Sequence, residues 1–170
     1  MPLLTLASAF ATAGESEWKA LTDQVMPQLQ SGAFKQAEQT ARESLVEAEK
    51  TFGTVHPNTA LSLSNLALVL RIQKRFEESE KQYQRTLAIR EKALGAAHPT
   101  TALTMLNLAD VLQAQKKYAE AEKLQRVVLP LFEKLHGDDP KTATALNNLG
   151  ANLHAQSRHK EAEPYFRRAL

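Results

Sequence analysis

The chain has 170 residues, of which 43% are hydrophobic and 24% charged, and its formal net charge is only +2. This composition is typical of an ordered globular protein with a sizeable core, and it excludes disorder as the main state. Lysine and glutamate are interspersed, which argues against the basic stripe of a nucleic-acid-binding protein, and the absence of cysteine excludes disulfides and thiolate zinc sites.

The first 14 residues are apolar and small, and Ala11-Thr12-Ala13 resembles a secretory cleavage site, although a basic n-region is missing. Two interpretations stay open, a signal remnant and a capping helix that covers the first repeat. The first predicts a periplasmic or secreted protein, and otherwise we expect a cytoplasmic one. The segment is shorter than the roughly 20 apolar residues that span a bilayer, so we expect no membrane partner.

The next stretch predicts a first, degenerate helix pair. One helix covers residues 16–30 with Ser16 as its N-cap, and Pro27 should bend or shorten it. The second covers residues 33–52 and ends at Gly53, as a glycine after the last turn should. The apolar positions at helical spacing are Trp18, Leu21, Val25 and Leu29, then Phe34, Ala37, Ala41 and Leu45.

A motif then repeats along the chain. Residues 53–60 read GTVHPNTA and residues 95–102, which begin 42 residues later, read GAAHPTTA. A third copy, GDDPKTA, begins at Gly137 after another 42 residues, with one residue deleted before the proline. A period of this length indicates an array of repeats. Each proline suits the first turn of a helix, where its missing N–H has no partner to lose.

Each copy predicts two helices, and no segment alternates with a period of two, so the predicted fold class is all-α. The inward positions of the first helices are Leu63, Leu66, Ala67 and Leu70; Met105, Leu108, Ala109 and Leu112; and Leu146, Leu149, Gly150 and Leu153. Those of the second helices are Phe76, Tyr83, Leu87 and Leu94; Tyr118, Ala121, Val128 and Leu129; and His159, Ala162, Phe166 and Ala169. The predicted organisation is an N-terminal segment over 1–14 and an array over 15–170, with copies at 15–53, 54–95, 96–137 and 138–170, the first degenerate and the last truncated.

Residues 63–67, 105–109 and 146–150 read LSNLA, MLNLA and LNNLG, and with the residues that follow they resemble tetratricopeptide repeats. The 42-residue period with His-Pro and the segment REKALG at 90–95 is similar to the longer repeats of kinesin light chains. The resemblance covers about residues 33–170 well and 15–32 weakly. It implies a right-handed α-α superhelix, or solenoid, whose first helices line a concave groove that binds peptides or proteins. The small residue usual between the two helices is replaced by Lys74, Lys116 and Ser157.

The candidate groove residues lie on the first helices, beside the buried stripe. They are Leu61, Ser64, Asn65, Leu68 and Arg71; Leu103, Leu106, Asn107, Asp110 and Gln113; and Thr144, Asn147, Asn148, Ala151 and His154. The amides of Asn65, Asn107 and Asn148 can bond a peptide backbone regardless of its side chains, and the leucines can form an apolar floor. The alternative is that the asparagines bond the neighbouring repeat and that the leucines belong to the core.

The sequence offers few candidate residues for catalysis or metal binding. His56 and His98 recur with their prolines at repeat boundaries, which favours a structural role. His154 and His159 are five residues apart across a turn, unlike the i, i+4 pair of a helical zinc site. Support for catalysis is limited to His154 and the Asp138-Asp139 pair, so we expect no enzyme, no metal and no cofactor.

The last part of the chain raises a second hypothesis. Pro130 falls inside the predicted helix over 118–136, where it predicts a bend. A last helix of matching length would reach about residue 177, so Phe166, Ala169 and Leu170 are expected to form an open face, either because the protein continues or because another chain covers it. The leading hypothesis is therefore a non-catalytic scaffold for a protein or peptide. The alternative is a self-assembling module, in which residues 1–14 occupy the groove or the C-terminal end mediates a homo-oligomer.

Overall fold

The computed structural model describes residues 3–137 and 139–170, with side chains described from Thr12 onward except that of His136. Within these ranges the chain is all-α, as predicted, with eight helices and no strand. No helix in the described ranges has the length and apolar character needed to cross a bilayer. The helices are α1 (Leu3–Gln30), α2 (Phe34–Phe52), α3 (Pro57–Ile72), α4 (Phe76–Leu94), α5 (Pro99–Ala114), α6 (Tyr118–His136), α7 (Pro140–Ala155) and α8 (His159–Arg168).

The chain forms two compact units, Met1–Ile89 and Arg90–Leu170. The first unit contains α1, α2, α3 and most of α4, and the second contains the end of α4 and α5 to α8. The helices alternate between 16 residues for α3, α5 and α7 and 19 residues for α2, α4 and α6. A 16-residue helix and the 19-residue helix that follows it, as in α3 with α4 and α5 with α6, correspond to one copy of the sequence repeat.

The recurring His-Pro motif starts the first helix of a pair. His56 precedes Pro57 in extended conformation, and its Nδ1 accepts a hydrogen bond from the backbone N–H of Asn58 at 3.1 Å. His98 caps α5 in the same way. In the third copy the Asp139 carboxylate caps α7. The structural role predicted for the two histidines is confirmed, and the role is to satisfy an N–H group that a helix start leaves without an intrahelical acceptor.

The turn inside each pair uses a residue in the left-handed conformation. Lys74, Lys116 and Ser157 have φ of 63°, 62° and 63°, and Gly32 has φ of 78° in the first pair. Around Lys74 the chain ends α3 with two backbone bonds, from Lys74 N–H to the Arg71 carbonyl and from Arg75 N–H to the Leu70 carbonyl, both 2.9 Å long. This is the Schellman pattern, which satisfies carbonyls at a helix end and turns the chain back. The degenerate first pair therefore uses the same turn as the others.

In the first unit, α1 begins at Leu3 and not at the predicted Ser16. The predicted N-cap is thus inside the helix, and residues 3–14 continue α1 without a break. Trp18 is buried, and its indole N–H donates to Ser62 Oγ at 2.8 Å. Ser62 also bonds Ser44, and Ser44 bonds Thr22 at 2.7 Å. This hydroxyl chain satisfies the indole and ties α1, α2 and α3 together.

In the second unit, the predicted apolar stripes of α5 and α7 pack against α6 and α8. Leu108, Leu112, Leu149 and Leu153 are buried, as are Ala121, Val128, Leu129 and Phe132 of α6. Gly150 allows α8 to approach closely, because a Cβ there would lie 2.9 Å from the Phe166 ring. A larger residue at Gly150 would force these two helices apart.

Three positions predicted as inward are exposed: Phe34, Leu94 and His159. Each is the first or last residue of its helix, where the neighbouring helix no longer covers it. The prolines do not interrupt their helices. The helix α1 continues for three residues beyond Pro27, and α6 continues through Pro130 to His136. The bends at Pro27 and Pro130 stay predictions.

An ion-pair cluster links neighbouring helix pairs in the first unit. Glu38 of α2 accepts hydrogen bonds from Arg42 and from Arg75, both at 2.7 Å. Arg75 lies in the turn before α4 and makes a second, bidentate pair with Glu78 at 2.6 Å. The cluster fixes the α3–α4 turn against the preceding pair.

The second unit repeats the cluster with equivalent residues. Glu122 of α6 accepts from Arg158 at 2.6 Å, from Arg126 at 2.8 Å and from Gln156 at 2.9 Å. Arg158 makes the bidentate pair with Glu161. The same chemistry therefore fixes the α7–α8 turn against α6.

Burial would raise the pKa of Glu122, but the hydrogen bonds from Gln156, Arg126 and Arg158 outweigh it and lower that pKa below its ordinary value of 4.5. The pKa of Glu38 is lowered for the same combination of reasons. A carboxylate whose folded pKa is depressed stabilises the fold above its ordinary pKa, and this stabilisation is lost as the pH falls through the folded value.

We predict that Glu122→Gln lowers the free energy of unfolding by about 1–2 kcal/mol at neutral pH, because it weakens charge-assisted bonds to two arginines. The difference from the parent chain should shrink as the pH falls below 4.5 and through the lower pKa of the folded state, where the carboxylate of Glu122 becomes protonated. Urea unfolding at several pH values measures both effects. Glu163→Gln is the matched control, because its pair with Arg167 is exposed on both sides. A difference that does not depend on pH, or an equal loss in the control, would contradict the prediction.

Candidate peptide-binding site

The first helix of each pair buries one side in the core and exposes the other, which carries the predicted groove residues. These positions fall into three classes. The exposed ones are Leu61, Leu103, Thr144, Asn147, Ala151 and His154; the half-buried ones are Ser64, Asn65, Leu68, Arg71, Asn107, Asp110, Gln113 and Asn148; Leu106 is buried. All but one are thus accessible to a partner.

The leucines divide between the two roles considered from the sequence. Leu61 and Leu103 are 38% and 48% exposed, so a ligand side chain could contact them. Leu106 is only 7% exposed, and Leu68 packs against the core cluster of the first unit. Two leucines therefore remain as an accessible apolar surface, and the other two contribute mainly to the core.

In the second unit the structure brings together two of the polar candidates. Asn148 of α7 donates from Nδ2 to Oδ1 of Asp110 on α5 at 2.9 Å. For this asparagine the bond to the neighbouring repeat, one of the two predicted roles, is present. The bond holds α5 and α7 in register along this face and presents the Asp110 carboxylate beside the Asn148 amide.

A buried amide network lies beneath the same face. Asn152 of α7 donates to Gln125 Oε1 at 2.7 Å and to the Tyr118 carbonyl at 3.0 Å. Gln125 in turn donates to Oε1 of the groove residue Gln113 at 3.3 Å. Both Asn152 and Gln125 are almost fully buried. The network thus fixes the side chain of Gln113 from below.

The sequence does contain a sign of this network, although the helical spacing of apolar residues does not reveal it. Asn152 occupies the repeat position that holds Val69 in α3 and Val111 in α5, and Gln125 occupies that of Tyr83 in α4. Polar residues at two positions that are apolar or aromatic in the other copies indicate a buried pair. Burying an amide is costly unless its bonds are made, and here Asn152 donates to Gln125 and Gln125 donates to Gln113.

The residues considered for chemistry have other roles. The Asp139 carboxylate is the cap of α7, and Asp138 lies outside the described residues. Among the residues that the structure describes, no three of His, Cys, Asp and Glu gather into a metal-binding group. His154 does have a neighbour, since its ring centre lies 4.5 Å from that of His159.

A known protein family matches most of the repeat array. The tetratricopeptide repeat family model matches residues 28–92, 59–134 and 100–170. No curated protein matches the chain.

Among the solved structures that are similar in fold are two with TM-scores above 0.8. BtubC (BKLC) from P. vanneervenii has a TM-score of 0.83 over 89% of this chain, at 20% identity, and the chain spans 61% of the length of that protein. A kinesin-light-chain-type protein of Podosopora anserina with nearly identical TPR-like repeats has a TM-score of 0.82 at 20% identity, over 89% of this chain and 72% of that one. Since most of the length matches the family model, the chain belongs to the tetratricopeptide repeat family.

Proposed function

We propose that the protein is a non-catalytic scaffold that binds a peptide or a partner protein in the concave groove lined by the first helices of its repeats. Repeats of this family generally bind protein partners. The observation that carries the proposal is that α3, α5 and α7 each hold an accessible asparagine at the same repeat position, namely Asn65, Asn107 and Asn148.

The chemistry of this surface favours a polypeptide ligand. An asparagine amide offers both donors and an acceptor, as does a peptide group, so a row of such amides can bond an extended backbone. The exposed Leu61 and Leu103 add apolar contact for ligand side chains. Charged candidates are limited to Arg71 and Asp110, one of each sign, which suits neither a phosphate backbone nor an anionic membrane surface.

We predict that Asn107→Ala combined with Asn148→Ala weakens partner binding by at least about tenfold, because each lost ligand bond costs roughly 1 kcal/mol. Partners would be captured from lysate on the parent chain, identified, and titrated against each variant by calorimetry. Lys123→Ala with Lys134→Ala, two exposed changes on α6, is the matched control. Circular dichroism should show that all variants keep their helical content.

Two results would remove the groove from consideration. One is an unchanged affinity in the double asparagine variant, and the other is a loss of binding confined to the α6 control.

A second candidate function is self-association through the end of α8. Beside its end an open cavity of about 440 Å³ is lined by Pro140, Thr142, Leu146 and Leu170, among others. Within that lining Thr142 Oγ1 is buried without a hydrogen-bond partner. A surface cavity of this kind can accept a helix end from a second copy.

For this candidate we expect a dimer that dissociates on dilution in sedimentation velocity, and a monomer for Leu170→Asp, because a charge there would be buried in the contact. Val55→Asp, at a residue that is 68% exposed in the first unit, should behave like the parent chain. A parent chain that stays monomeric at every concentration would exclude this function and leave the groove proposal intact.

A further inference from the structure

Two histidines meet at the turn between α7 and α8. His154 lies in the last turn of α7 and His159 is the first residue of α8, and both side chains are exposed. Their ring centres are 4.5 Å apart and their planes make an angle of 60°. On a continuous helix residues five apart point in different directions. Here the left-handed Ser157 lies in the turn that reverses the chain between them, and the rings meet across that turn.

The separation of the rings fits two ligands on one metal ion. A metal–nitrogen bond to histidine is about 2.0 Å and the ring centre lies about 1.2 Å behind the nitrogen, so two ligands at a right angle have ring centres about 4.5 Å apart. A tetrahedral angle would separate them by about 5.2 Å. The observed 4.5 Å is within reach of both arrangements and nearer to the right-angle one, which is the geometry of a square-planar ion. Both side chains are exposed, so their rings can turn a nitrogen toward the ion without disturbing the core.

We propose that His154 and His159 form a bidentate site for a divalent transition-metal ion, with Cu²⁺ or Ni²⁺ preferred to Zn²⁺. Imidazole ligands and a right-angle geometry suit these two ions, and Cu²⁺ binds most tightly in the usual order of divalent affinities. Magnesium and calcium prefer oxygen ligands and are excluded. No third His, Cys, Asp or Glu gathers at any site in the described ranges, so water completes the coordination here.

Arg158, one of the two cationic residues that flank His159 in sequence, adds little repulsion toward a bound ion. The Arg158 guanidinium is bonded to Glu122 and Glu161 at 2.6 to 2.8 Å, so its charge is neutralised by those carboxylates. A metal bound to the two histidines would connect α7 directly to α8. Since the unfolded chain does not hold the two rings together, binding should stabilise the fold. The metal-site proposal does not rest on the groove function, although the two share His154.

The test is a titration of the metal-free full chain with CuCl₂ and, separately, ZnCl₂. For the parent chain we expect one Cu²⁺ held by two nitrogens, as counted by the hyperfine pattern in electron paramagnetic resonance, and a metal-dependent rise in Tm. His154→Ala and His159→Ala should each weaken Cu²⁺ binding at least about tenfold, because one of two ligands is lost, and should abolish the rise in Tm.

His98→Asp is the matched control, since it removes a histidine elsewhere and keeps a capping acceptor of the kind that Asp139 provides. It should bind Cu²⁺ like the parent chain. The proposal is overturned if either alanine variant keeps the parent affinity, if only one nitrogen is bound, or if Zn²⁺ binds more tightly than Cu²⁺.

Discussion

The fold depends on one backbone conformation, the left-handed residue that joins the two helices of each pair. Gly32, Lys74, Lys116 and Ser157 all adopt it with φ between 62° and 78°. For a residue with a side chain this conformation costs roughly 1–2 kcal/mol, and the chain accepts that cost three times. This conformation allows a fixed pair of hydrogen bonds at the end of the first helix of a pair, and these bonds set the direction of the second helix.

The other contacts that define the array follow from that turn. Because the turn is fixed, Arg75 and Arg158, one residue further on, reach the carboxylates of the preceding pair at Glu38 and Glu122. The next helix pair then begins at a capped proline. The same turn brings His154 to His159. One local conformation thus determines the stacking of a pair, the ion pairs that hold it, and the one meeting of histidine rings in the described ranges.

Much of this fold was predictable, because the repeat period and the helical spacing of apolar residues are properties of the sequence itself. The stripes at Leu63 to Leu70 and Leu146 to Leu153 are buried as predicted. Helix ends were less predictable. Periodicity assigned Phe34 and Leu94 inward positions, but coverage at a helix end depends on the length of the neighbouring helix, which periodicity does not contain. The start of α1 at Leu3 was not predicted, because the sequence left residues 1–14 open between a signal remnant and a capping helix, and Ser16 is an acceptable cap that the helix does not use.

The candidate site was predictable as a surface but not in its details. The repeat pattern assigns Leu103 and Leu106 to one face, yet Leu103 is 48% exposed and Leu106 only 7%. A shift of three residues rotates a side chain by about 60° on a helix, and the neighbouring pair decides which of the two it covers. The bonds of Asn148 to Asp110 and of Asn152 to Gln125 join residues far apart in sequence. Only the packing of separate helices brings such side chains together.

The proposal that a partner binds the first helices of the repeats is tested most directly by site-specific photo-crosslinking to a captured partner. A photoreactive amino acid at Leu103, on the first helix α5, is compared with one at Val127, on the second helix α6. The two side chains are 48% and 47% exposed in the same unit, so accessibility alone cannot distinguish them. If the partner binds the first helices, we expect crosslinks from Leu103 and none from Val127. Crosslinks from Val127 alone would contradict it and place the partner on the opposite helices.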